Sequence, residues 1–291
     1  VIIKPTKEVL LSWMESYVPD RDLFFLSKEH LNHEIDFTDV LLMPIDEFYK
    51  HSTYRQLNYV NGYEYWNIKN AQYVIIAEKE WIEGISEEKK RLILNSQVES
   101  ERGLVLSITY IQEIDKIPSS YLVNEHVVIQ RSMWEKLEES FKEQLLTTMV
   151  NEWWNEGECE ELPKSLPSFL KPFANTFSHL QGANCLAAVL FAISKGKQEW
   201  FIYEWIHQKT FLEKLKQYHY EEFLDEGLHQ GNIVIWKDEN AIIQHAAYYI
   251  GEGLYFNKHG QTIFNPWKIL TKEKLYKEWE QLTLVKYRQC K

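Results

Sequence analysis

A two-domain α+β protein is what this 291-residue sequence predicts, on three observations. Short β-like runs alternate with helical periodicity through the first half. Between Glu156 and Pro172, three of the eight prolines (Pro163, Pro167 and Pro172) interrupt helix and strand patterns alike. After them an apolar helical run leads into an antiparallel meander. The boundary is therefore expected in the proline-rich stretch, with residues 1–160 as an α+β domain of unknown role and 161–291 as the second domain.

Taken in order, the β-like runs of the first half are 40–45, 73–77, 104–111 and 127–129. A helix is expected over 86–102, closed by Gly103 as a residue that takes positive φ at little cost. A further helix should follow Ser132, which has capping-box spacing to Glu135, with Leu137, Phe141, Leu145, Met149 and Trp153 recurring every four residues. The aromatic stretch Tyr49, Tyr54, Tyr59, Tyr63, Tyr65 and Trp66 reads as core and loop packing before it reads as a binding surface.

In the second half, Gln181-Gly182-Ala183-Asn184 precedes the run Cys185 to Ala192, and a second helical region spans 199–220. Asp225-Glu226-Gly227 is turn-like. Strands are expected over 231–236 and 245–250, and Gly251-Glu252-Gly253 should turn the chain into a strand at 254–257.

Lys plus Arg total 32 against 43 Asp plus Glu, a net charge of −11 that argues against nucleic acid and anionic membrane surfaces as partners. The three cysteines, Cys159, Cys185 and Cys290, show no C-x-x-C pair and no metal-ligand spacing. That usage suits a reducing, cytoplasmic setting and predicts neither a metal nor a cofactor. No apolar stretch approaches the roughly 20 residues that cross a bilayer; since the first residue is not Met, a removed leader stays open.

One constellation speaks of chemistry. A thiol attacks carbonyls as thiolate, and its free pKa of about 8.5 must be overcome by a helix N-terminus or a nearby imidazole. Cys185 opens the apolar helix, so its sulfur should sit in the first turn with an activated thiol. His245 opens a strand and could accept the proton, while Asn257 could hold the other ring nitrogen. Their separation of 12 residues permits a common face if no bulge intervenes. Gln181 and Asn184 are candidate oxyanion donors beside the backbone N–H of Cys185. Taken singly, Cys185 also reads as a small buried core residue, and His259 and Asn265 rival Asn257 for the third position.

These residues resemble the NlpC-type papain-like cysteine hydrolases over roughly residues 180–260. The likeness lies in Cys185 opening its helix, in Gly231-Asn232-Ile233-Val234-Ile235-Trp236, and in His245-Ala246-Ala247-Tyr248-Tyr249-Ile250-Gly251 with Asn257 beyond. The family usually has an acidic residue before the nucleophile and Ser-Gly or Thr-Gly after it; here Asn184 precedes and Leu186-Ala187 follow, and Asn232 replaces an acidic residue. The resemblance implies a papain-like second domain, catalytic Cys185, His245 and Asn257, and a cysteine peptidase or amidase acting through an acyl-enzyme on a peptide or other amide-containing substrate. An inactive papain-like binding or regulatory protein, or an acyltransferase using the same thiol, are the alternatives.

Overall fold

Five consecutive buried residues, Asp22–Leu26 (β1), begin the first sheet. The computed structural model describes residues 1–32, 35–224 and 227–290, with no side chain described at 32, 153 and 154. Asp225 and Glu226 of the expected turn lie outside the described residues. Two units form an α+β protein, Leu10–Trp153 and Val1–Val9 with Trp154–Lys291. The expected division at 160 is thus displaced: Ile2 bridges Glu158, and Cys159 N–H donates to Val1 O at 3.0 Å, so 1–3 is paired with 157–159 ahead of the prolines.

In the unit Leu10–Trp153, β1 and Leu41–Pro44 (β2) flank Tyr73–Ala77 (β3), all antiparallel. The Glu87–Glu99 helix packs on β1, where the buried Gln97 Oε1 accepts from Phe25 N–H at 2.8 Å. Ser86 caps that helix, accepting from Lys89 N–H. Its end differs from expectation: Glu101 takes the left-handed turn at φ 53°, not Gly103. Gly103 is needed for another reason, since a Cβ there would lie 2.4 Å from Gly62 O.

Val105–Ser107 (β4), Leu122–Val123 (β5) and His126–Val128 (β6) make a second sheet, in the order β4-β6-β5. The helix expected after Ser132 is broken into Arg131–Lys136 and Glu139–Thr148, because Leu137 and Glu138 are extended, with ψ of 142° and 145°. Ser132 is buried within the first piece instead of capping it, its Oγ donating to Glu83 Oε1 at 3.1 Å. The aromatic stretch is mostly core: Tyr63 is fully buried, and Phe48 stacks on Tyr54 and meets Tyr49 and Tyr65.

The other unit holds a six-stranded antiparallel sheet. Its strands are Tyr220–Phe223 (β7), Ile233–Lys237 (β8), Ile243–Gly251 (β9), Leu254–Lys258 (β10), Trp267–Thr271 (β11) and Thr283–Gln289 (β12), ordered β11-β10-β9-β8-β12-β7. The expected meander is its centre, β8 to β10. The helical region expected over 199–220 resolves into a 3-10 turn, Glu199–Tyr203, and the helix Gln208–Gln217.

Alternation along the strands divides the sheet into two buried faces. Ile233, Ile235, Ala246, Tyr248, Ile250, Phe256 and Ile269 pack with the Cys185–Ile193 helix. Val234, Trp236, Ala247, Tyr255 and Leu270 pack with Leu275 of the Lys272–Glu278 helix. Each face therefore brings a different set of side chains to the ends of β9 and β10. Among the described residues, no helix is long and apolar enough to cross a membrane.

Candidate active site

Cys185 is the first residue of its helix, and the helix is entirely buried beyond it. Asn184 is the N-cap: its Oδ1 accepts from Ala187 N–H at 3.0 Å and its Nδ2 donates to Ile206 O at 2.8 Å. That duty, holding the helix start and the 206 loop, replaces the oxyanion role expected of Asn184. The sulfur lies against the N–H groups of Ala246, Leu186 and Cys185 itself. It therefore rests at a helix N-terminus and on the β9 backbone at the residue that follows His245.

His245 approaches from the other side of that backbone. It pairs with Trp236, and its ring stacks on Trp279 with centroids 4.8 Å apart and an interplanar angle of 10°. Ring and thiol are not hydrogen-bonded to each other, but both line one cleft of about 330 Å³, with Trp205, Ile206, His207 and Gln261. His245 Nε2 is sealed from solvent and without a hydrogen-bond partner.

The hairpin places Asn257 by a means opposite to the expectation. Gly251, Glu252 and Gly253 all take positive φ, so Leu254 pairs with Gly251. The register then shifts by one, with Tyr255 opposite Tyr249 and Phe256 opposite Tyr248. One step further puts Asn257 opposite Ala247, on the His245 face. Without this bulge Asn257 would meet the register of Tyr248 and turn to the helix face, so the irregularity is required where its absence was expected. Asn257 is fully buried; its Nδ2 donates to Lys268 O at 3.3 Å, and its Oδ1, like His245 Nε2, is buried without a hydrogen-bond partner.

Burial nevertheless dominates the ionisation of the pair. It pushes the Cys185 thiol up to about 11, against the three amides and Lys258. Burial, helped by the positive charge of His259, holds His245 well below the ordinary imidazole value. The activated resting thiol expected from the helix start is thus absent, and thiol and imidazole are both neutral at rest.

Six neighbours were not singled out as partners by sequence. Lys258, fully buried, lines the same cleft. His259 sits between Glu156, at 3.5 Å from Nδ1, and Glu278 at Nε2. Against its burial, these carboxylates hold His259 above its ordinary value. Glu156 also pairs with the buried Lys268, and against its own burial His259 and Lys268 hold its carboxyl down at about 2. Trp279 covers the His245 ring and Glu278 closes the cluster. Only adjacency to Asn257 could have flagged Lys258 and His259, the latter noted only as a rival for the third position. Glu156 stands more than a hundred residues away from its partners.

The remaining candidates fall outside. Gln181 is not among the cleft's lining residues. Asn265 Oδ1 accepts from Thr262 N–H and Oγ1, a loop-closing role. Cys159 is buried apart from the cleft, and Cys290 follows β12. Among the described residues no cluster of His, Cys, Asp and Glu could hold a metal. A larger cavity of about 600 Å³, lined by Asp36, Asp39, Glu78, Glu80, Trp81 and Lys89 among others, contains neither Cys nor His. Comparison with protein-family models, curated proteins and solved structures finds no match to this chain.

Proposed function

We propose that the unit containing the six-stranded sheet is a papain-like cysteine hydrolase that cleaves an amide bond. One observation carries the reading: a cysteine that opens a buried helix and His245 line the same cleft of about 330 Å³. Asn257 beside the ring and Trp279 stacked over it supply the ordering that a transferring imidazole requires.

The proposed chemistry begins from neutral partners. As Cys185 Sγ attacks the carbonyl carbon, its proton passes to His245, and the N–H groups of Cys185 and Leu186, unused by the helix, face the developing charge. His245 then returns the proton to the leaving amine, giving a thioester that water hydrolyses with His245 again as base. The test is turnover of a p-nitrophenyl ester and of peptide amides by wild type, Cys185→Ala and His245→Ala. An initial burst lost in both variants, with folding retained, is expected; a burst that survives Cys185→Ala defeats the proposal.

A second reading has its own observation. A thiol raised to about 11 with no hydrogen bond to imidazole fits a silent scaffold that binds without cleaving. It is favoured if no ester is turned over while Cys185 remains reachable. An acyltransferase would show the same burst and acceptor-dependent product.

A further inference from the structure

Lys258 is a buried cation that the proposed Cys-His-Asn chemistry does not use. Its side chain is wholly inaccessible, and Nζ donates to Gly260 O at 3.1 Å, Thr262 O at 2.9 Å and Asn265 O at 2.7 Å. Three acceptors match the three N–H bonds of an ammonium; a neutral amine would leave one carbonyl unserved. No carboxylate lies within 4 Å of Nζ among the described residues, unlike Lys268 with Glu156 or Lys90 with Glu83. Burial without a contacting anion pulls the ammonium down to about 7, so the charge is held in neutral and acidic solution and an anion forming nearby would strengthen it.

The strands say where that anion would be. Lys258 pairs with Trp267, whose ring belongs to the same helix-side core as Ala246. Ala246 is the residue whose N–H faces the Cys185 sulfur. Alternation turns Lys258 to the helix face, away from Asn257 and His245, and Lys258 and Cys185 line the same cleft. Each is felt electrostatically by the other. The other charged groups near this point are Glu156 and His259, whose charges oppose each other as an ion pair.

We propose that Lys258 is the fixed counter-charge of the Cys185 sulfur, a positioning residue that stabilises the thiolate at the moment the proton leaves for His245. Its three carbonyl bonds also pin the 259–265 loop, whose residues His259, Gly260 and Gln261 form one wall of the cleft. Lys258 and the Cys185 helix then share one face of β9, and His245 lies on the other. This inference rests on the hydrolase reading for its purpose but makes a separate claim about the thiol.

The test measures alkylation of Cys185 by iodoacetamide at pH 6.5, below the point at which burial strips Lys258 of its proton, read by mass spectrometry of its peptide, in wild type and Lys258→Met. Losing the cation should lower the rate about threefold or more, since a weaker ionisation is partly offset by a more nucleophilic thiolate. An unchanged rate in a folded variant overturns the proposal. A second measurement uses the wild-type chain: iodoacetate and iodoacetamide are compared at Cys185 and at a free thiol in the same solution. A preference for the anionic reagent beyond that of the free thiol is expected, and an equal or smaller preference overturns the proposal. Ester turnover that depends on Cys185, with thiol rates indifferent to Lys258, would remove this inference and keep the hydrolase; a Lys258-dependent thiol without turnover would do the reverse.

Discussion

Glu156→Gln tests how the charged cluster behind His245 is held. Glu156 lies on the segment after the first unit, yet its carboxylate meets Lys268 on β11 and His259 after β10. Its side chain is 18% exposed and that of Lys268 6%, so solvent screens little of the interaction. A fall from the ordinary 4.5 to about 2 corresponds, at 1.36 kcal/mol per pH unit, to about 3 kcal/mol. Removing the anion from a buried pair costs a similar ~3–5 kcal/mol. Amide hydrogen exchange in β10 and β11 should therefore accelerate about a hundredfold at pH 7. The sign of the pH effect follows from the direction of the shift: the folded carboxyl is the stronger acid, so its stabilisation is full above about pH 4.5 and fades as pH falls towards 2. The variant should lack that part of the acid sensitivity. Unchanged protection of 254–271, or acid sensitivity equal to wild type, would refute the reasoning.

Other consequences concern the site and the fold. Trp279→Ala would open the stacked face of His245 to water and relieve the burial that lowers its pKa, so the acidic limb of kcat/KM against pH should move upward; an unmoved limb means the indole does not set the ring's basicity. His245→Ala should reduce ester turnover by about 10²–10⁴, and Asn257→Ala by a smaller factor with KM unchanged, both checked by steady-state kinetics. Gly103→Ala forces a Cβ to 2.4 Å from Gly62 O and should destabilise its unit by about 1–3 kcal/mol, measured by urea denaturation followed by hydrogen exchange; a neutral outcome would mean that the loop yields freely.

Local pattern made the centre of the second sheet legible, because β8, β9 and the turn at Gly251 carry their period and their glycines within a few residues. The same is true of Cys185 at its helix start and of the helix expected from residue 86. What escaped was set by distance or by competition. Ser132 does not cap its helix because the hydroxyl found Glu83 in three dimensions, so a capping spacing became a buried contact. The domain boundary moved because residues 1–3 pair with 157–159, a contact no local period announces.

Within the site, sequence separation alone suggested a shared face for His245 and Asn257, but not that a bulge beside the turn creates it. Helix position suggested an activated thiol. Burial, which the flanking residues do not reveal, outweighs the amides and leaves it protonated at rest. Lys258, Trp279 and Glu156 gain their meaning only from the strands and helix that bring them to the same end of the sheet.

The most direct measurement is acid-quenched mass spectrometry of the full chain mixed with p-nitrophenyl acetate, with the acetyl group mapped to a peptide. The account predicts a transient acetyl thioester on Cys185 that decays with turnover and does not accumulate at Cys159 or Cys290. Acetylation spread equally over the three cysteines, or turnover with no adduct at Cys185 at any time, would contradict it.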